Sequence, residues 1–319
     1  MTGVRLVEVG RADDGLRLDR WFKQHYPALT HGQLQKMLRK GQVRVDGSRV
    51  DAARRLAPGE TVRVPPMPDV APRPRAPVQD HDEIRGLVLW EDEHTIALNK
   101  PFGLPVQGGS KVTRHLDGML DGLARGGERP RLVHRLDKDT GGLLLLGKTR
   151  LAAKTLGDAF QRHEVVKDYW ALTAGVPHPL QGRIDDPVGK AGEPGDERVE
   201  AGTDVAKAKR ALTDYQVVEA AGTKAAFVAL RPLTGRTHQL RVHMQTLGTP
   251  IIGDGKYGGA RAKVEGMAPK LHLFCRAMTF PTGPGGSKRV TVEAPLTGHM
   301  AKAWAFLSLP DEPSLEWPE

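Results

Sequence analysis

The chain has 319 residues, with 47 Lys and Arg against 38 Asp and Glu, which leaves a net charge of +9 and a pI of about 9.7. That length suits about two domains, and a composition of 39% hydrophobic and 27% charged residues holds no apolar run near the ~20 residues a membrane-spanning helix needs. A single cysteine, Cys275, excludes an intrachain disulfide and any multi-cysteine metal site, while the basic excess favours a polyanionic partner.

At the N-terminus, MTGVRLVEVGRADDGLRLDR carries Glu8, Asp13 and Asp14 and lacks an apolar core, so it does not read as a signal peptide and a cytoplasmic location is expected. Leu18, Trp21, Phe22 and Tyr26 then follow helical spacing up to Pro27. Thr30 and Gln33 form a capping-box signature ahead of Leu34, Met37 and Leu38, with Gly41 as the residue that ends the second helix. Val43 to Val45, Asp46-Gly47 and Ser48 to Val50 read as a small hairpin, and TVRVP as a last strand. Lys36, Arg39 and Lys40 stand away from the apolar stripe of the second helix, and Arg44, Arg49, Arg54 and Arg55 follow, which makes one face either a solvated surface or a site for polyanions. Six prolines between Pro65 and Pro77 form an extended spacer, so residues 67–84 are expected to link two domains.

Beyond the spacer, LVLW and TIALN read as strands that lead into a loop stiffened by Pro101, Gly103 and Pro105. The next informative stretch is HRLDKDTGG, from His134 to Gly142, followed by four leucines and Gly147-Lys148-Thr149. Gly142 to Thr149 fits the spacing of a phosphate-binding loop, but a leucine run belongs to a buried strand, so the match is taken as chance. Asp137 and Asp139 would project to one side of an extended segment, roughly 6 to 7 Å apart, close to the spacing of paired glycosidase carboxylates. The histidines offer no metal-binding spacing: the nearest helical pair, His238 and His243, stands five residues apart.

HRLDKDTGGLLLLGKT resembles the catalytic motif of the pseudouridine synthases that modify ribosomal and transfer RNA. KPFGLPV, KDYWAL from Lys167 to Leu172, and RPLTGRTHQLRVHMQTLGTPIIGD from Arg231 to Asp254 agree in order, so the likeness spans residues 85 to 296. Residues 16–66, RKGQVRVDG above all, resemble the small RNA-binding domain named after a small-subunit ribosomal protein, and the combination looks most like the large-subunit ribosomal synthases of the C type. The resemblance implies an α+β chain, with a domain of two helices and a hairpin at residues 16–66 and a catalytic domain at 85–319 built on a mixed, mainly antiparallel sheet flanked by helices. It further implies Asp137 as the essential aspartate, Tyr169 as the ring against the target base, Arg241 as the partner of the aspartate, and Arg135 as the filler of the gap left by a flipped nucleotide. Arg236, Lys36, Arg39, Lys40 and Arg44 would meet RNA phosphates. One departure is Gly141, where the family usually has serine.

Isomerising uridine involves no net oxidation or hydrolysis, so no redox cofactor, metal or nucleotide cofactor is expected. Burial beside leucines disfavours a charged carboxylate, so a fixed cation must hold Asp137 ionised, whether it acts as nucleophile or as base. Three other readings remain open: a synthase acting on transfer RNA, a non-catalytic RNA-binding or ribosome-assembly factor, and a carboxylate glycosidase that would need Asp139 as well.

Overall fold

A computed structural model describes the chain apart from residues 1–2, 28, 67–80, 109–111, 192–197, 203–204, 206–207 and 318–319. Two compact units emerge, Met1–Pro77 and Val78–Glu319. Most of the expected linker lies outside the described residues.

In the first unit, β1 (Arg5–Glu8), β2 (Arg44–Val45) and β3 (Thr61–Val64) form an antiparallel sheet in the order β1-β3-β2. Helix α1 (Leu18–His25) buries Leu18, Trp21 and Phe22. Helix α2 (His31–Arg39) starts on the expected capping box, with Thr30 and Gln33 satisfying each other's backbone amides. Asp13 is buried and accepts from Trp21 Nε1 at 3.1 Å, with His25 Nε2 at 3.0 Å, which ties the chain before α1 to its apolar face. The expected hairpin is corrected: Asp46 and Gly47 do take positive φ, but Ser48 makes only an isolated bridge to Val45, and the partner of β2 is the distant β3. Strand β1, before residue 16, completes the sheet and enlarges the unit beyond residues 16–66.

The second unit includes α3 (His81–Gly86), whose Ile84 is fully buried, so this helix belongs to the unit and the spacer ends before it. Then follow β4 (Val88–Glu91), β5 (Thr95–Lys100), the short helix α4 (Leu116–Met119), β6 (Arg131–Leu132), β7 (Gly141–Gly147), α5 (Arg150–Gln161) and β8 (Val166–Ala174). The chain continues through β9 (Gln181–Asp185), the β10 and β11 pair (Val188–Ala191, Arg198–Ala201), β12 (Leu212–Ala221), β13 (Ala225–Pro232) and α6 (Gln239–Thr246). Strands β14 (Leu273–Thr282) and β15 (Lys288–Glu293) and helix α7 (Gly298–Leu307) complete it.

Among the described residues the main sheet runs β4-β5-β7-β14-β8-β13-β12-β9, with β15 on β14 and β6 on β7. Its pairs are antiparallel except β7 with β14, which is the expected mixed, mainly antiparallel α+β arrangement. The four leucines, Leu143 to Leu146, are fully buried in β7, and Ala153 of α5 lies so near Gly147 that a Cβ there would stand 2.4 Å from it. Stacked Trp170 and Trp304, 5.2 Å apart, fasten α7 to β8. Cys275 is a buried core thiol on β14, and burial pushes its pKa up to about 12.

Candidate active site

The turn between β6 and β7 carries Asp137, and its shape is set from three sides. The imidazole of His134 accepts from Leu145 N–H at 2.8 Å, continuing the β6–β7 ladder after the backbone has left it. Burial pushes the pKa of His134 down to about 3, so the ring is neutral and free to accept. Below the turn, the fully buried Lys100 donates from Nζ to the carbonyls of Pro101, Leu104 and Lys138 at 2.9, 3.0 and 3.1 Å, while Gly103 N–H also reaches Lys138 O at 2.9 Å. Burial lowers the Lys100 pKa to about 8 against the pull of Asp139 and Asp137. Gly142 closes the turn with φ +101°, and a Cβ there would stand 2.2 Å from Cys275 O. Only glycine lets β7 meet β14 this closely. At Gly141 the ring of Phe102 occupies the space a side chain would take, with ring carbons 2.8 to 3.0 Å from a Cβ position.

Asp137 opens into a cavity of about 650 Å³. Tyr169 lies on its wall because β8 alternates: Lys167 and Tyr169 face the cavity, while Asp168 turns away to a two-pronged pair with Arg231 at 2.7 and 3.0 Å. Burial, followed by the neighbouring Cys275 and Asp137, raises the pKa of the Tyr169 phenol well above its usual value. The opposite wall is the segment from Thr234 into α6. Gln239 anchors it: its Oε1 accepts from Thr234 Oγ1 and Arg236 N–H, and its Nε2 donates to Leu212 O and Thr213 Oγ1. Arg135, Arg236 and Arg241 line the same cavity. Arg135 is exposed and has no ion pair among the described residues, whereas Arg236 donates from Nε to Arg210 O at 3.2 Å.

The expected contact between Arg241 and Asp137 takes another form. Arg241 donates from Nε and one terminal nitrogen to Asp254, at 2.8 and 2.7 Å, and Asp254 is 1% exposed at its side chain. Burial alone would lower the arginine's pKa; the hydrogen bonds and charge of Asp254, with Asp137 behind them, push it up. His238 stands against the Asp137 carboxylate, with Nε2 3.6 Å from Oδ2. Asp254 lies in the segment that the sequence marks and carries no signal of its own beyond that; His238, Lys100 and Lys167 were likewise present in the marked motifs without a spacing that singles them out.

Asp139 lines a second cavity, of about 570 Å³, with Phe102, Lys256, Lys270 and His299, so the two carboxylates of the turn do not share a chamber as a glycosidase pair would. Gly142 to Gly147 is buried strand throughout and presents no loop of amides for a phosphate. In the first unit Lys36, Arg39 and Lys40 are exposed, while Arg44 donates to the carbonyls of Gly41 and Gly47 and shapes the turn.

Comparison with known proteins gives this geometry a context. The sequence model of RNA pseudouridylate synthase matches residues 94–246, and that of the S4 domain matches residues 16–62. Ribosomal large subunit pseudouridine synthase C of Rickettsia typhi is 37% identical over 277 residues, which cover 82% of this chain and 87% of the relative. The chain belongs to the pseudouridine synthase family. The synthase of the same name from Salmonella typhimurium is 32% identical over 95% of this chain and 97% of its own. Among solved structures, human RNA pseudouridylate synthase domain containing 4 superposes with a TM-score of 0.59 and 28% identity, covering 72% of this chain and 96% of the human one. This synthase is thus an enzyme that isomerises uridine to pseudouridine in RNA, with an S4 domain ahead of its catalytic unit.

Proposed function

We propose that this synthase modifies uridines of large-subunit ribosomal RNA, with Asp137 as the reacting carboxylate. The observation that carries the site is the convergence of Asp137, Tyr169 and Arg241, from three separate segments, on one cavity. The substrate class is supported by relatives that align over nearly their full length and bear the name of the large-subunit enzyme.

The target uridine must leave its stack, at a cost of a few kcal/mol. Arg135, exposed at the rim, is placed to fill the vacated position, and Tyr169 offers its ring to the extruded base. Asp137 then acts on the ribose, as nucleophile at the sugar or as base on a ribose proton. Either route needs a charged oxygen, and Arg241 supplies a positive field already oriented by Asp254. The bond from ribose to ring nitrogen one breaks, the uracil is turned while held, and ribose joins ring carbon five, whose proton leaves while nitrogen one gains one, so the product is an isomer. Lys36, Arg39 and Lys40 add phosphate contacts that raise affinity without reading sequence.

Chemical mapping of pseudouridine in ribosomal and transfer RNA, from cells with the gene deleted and complemented by wild type or Asp137→Asn, tests both parts. Sites in large-subunit RNA should vanish on deletion and return only with wild type. Loss confined to transfer RNA would move the substrate, and restoration by Asp137→Asn would remove the aspartate from the chemistry. In vitro, Asp137→Asn should lower the rate at least about 10³-fold.

A further inference from the structure

His238 occupies a left-handed backbone conformation, φ +56°, immediately before α6. A non-glycine residue held there carries strain, and such strain gathers where a side chain must be aimed. The imidazole is aimed twice. Its Nε2 lies 3.6 Å from Asp137 Oδ2, and its Nδ1 lies 2.5 Å from the hydroxyl of Tyr257.

Donor counts favour one arrangement of that second contact. The Tyr257 oxygen accepts from Val199 N–H at 3.3 Å, and its own hydrogen is available to donate. The only side-chain acceptor it meets among the described residues is His238 Nδ1. A neutral imidazole that accepts at Nδ1 carries its hydrogen on Nε2, the nitrogen facing Asp137. The rest of the surroundings favours the neutral ring. Burial lowers the His238 pKa first; Asp137 and Asp254 pull it up, and Arg241 and Lys256 push it down, leaving it below its ordinary value. Asp139, Lys270 and His299 share the second cavity with it on the far side.

From this geometry we infer that His238 is a positioning residue for Asp137: Tyr257 fixes its tautomer, so that Nε2–H is presented to the carboxylate and orients the oxygen that reacts with the ribose. The inference rests on Asp137 being the reacting carboxylate. The working form is neutral; protonation would turn the directed donor into a full cation and draw charge from that oxygen. Tyr257 acts two steps from the chemistry, through its hydrogen bond to the His238 ring, and needs no contact with RNA.

Single-turnover rates against pH, on an RNA substrate of the wild-type enzyme, test the relay. His238→Leu should slow the reaction about tenfold with little change in RNA affinity. His238→Gln, which keeps an N–H near the Nε2 position and does not titrate, should stay within about threefold of wild type and lose the acid limb that the imidazole imposes. Tyr257→Phe removes the donor that stabilises the unprotonated Nδ1, so its acid limb should move to higher pH. Equal losses in the Gln and Leu variants, no loss in Leu, or an unmoved acid limb in Tyr257→Phe would each overturn the inference. The parallel Asp137→Asn control separates the failures: if it stays active, the underlying reading of the site has failed, and if it is dead while the His238 and Tyr257 variants behave as wild type, only the relay has.

Discussion

On α2 of the small unit and at its C-cap, Lys36, Arg39 and Lys40 stand in solvent without an ion pair among the described residues, whereas at the cavity of the second unit Arg241 is gripped by Asp254 and His238 by Tyr257. Arg135 and Lys167 are the cavity cations left without a carboxylate or hydrogen-bond acceptor among the described residues. Separate exposed cations act additively and are screened by salt, so affinity can be spread over many small contributions. Groups locked before RNA arrives act as a unit, and removing one partner leaves the other buried and misdirected. Under the proposed function, binding is distributed over one region and chemistry concentrated in another.

The sharpest way to break that contrast is at Asp254. Asp254→Asn leaves the Arg241 guanidinium buried without its counter-charge, and should cost about 3 to 5 kcal/mol of stability together with roughly 10²-fold in rate, read by denaturant unfolding and single-turnover kinetics. A loss no larger than that of a surface charge would show that the pair is not preorganised. Gly142→Ala tests the backbone beneath the turn. Its Cβ would collide with Cys275 O from a positive φ, so about 3 kcal/mol or more of stability should be lost, with the rate falling alongside as Asp137 is displaced.

Lys100 gives a pH signature of the concentrated region. Its pKa falls from 10.5 to about 8 on folding, so between those values the unfolded chain binds more protons than the folded one, and wild-type stability should gain a rising contribution with pH across that window. Lys100→Met should lack this contribution, as measured by unfolding at pH 8 and pH 10. The smallest effects belong to α2: Lys36→Gln, Arg39→Gln and Lys40→Gln should each weaken RNA binding a few-fold, leave the rate on saturating RNA unchanged, and reduce the slope of log affinity against log salt by roughly 0.7 to 0.9. A change in the saturated rate would mean that this face takes part in more than binding.

Much of this organisation was legible locally. The capping box of Thr30 and Gln33 needs only neighbours on one helix, and the leucines of β7 announce burial by composition alone. Asp137, Tyr169 and Arg241, which the resemblance singles out, line one cavity. What escaped is long-range. Strand β2 finds its strand partner in β3, and of the residues just after the turn only Ser48 bridges back to it, because the alternating run of β3 buries Val62 and Val64 while Ser48 and Arg49 stay exposed. The guanidinium of Arg241 had two carboxylates within its field, and only the packing of α6 shows that Asp254 takes both hydrogen bonds. His238 likewise gave no periodic signal; its importance is a matter of where a left-handed residue throws its ring.

The lone parallel contact of the main sheet, where Gly142 meets Cys275, has a consequence for timing. The small unit closes its own core from residues that all precede the catalytic unit, so it can fold before that unit is complete. The turn that carries Asp137 is not braced until β14, over a hundred residues later, has emerged and slotted beside β7. A nascent copy therefore closes its small unit before the cavity around Asp137 takes shape.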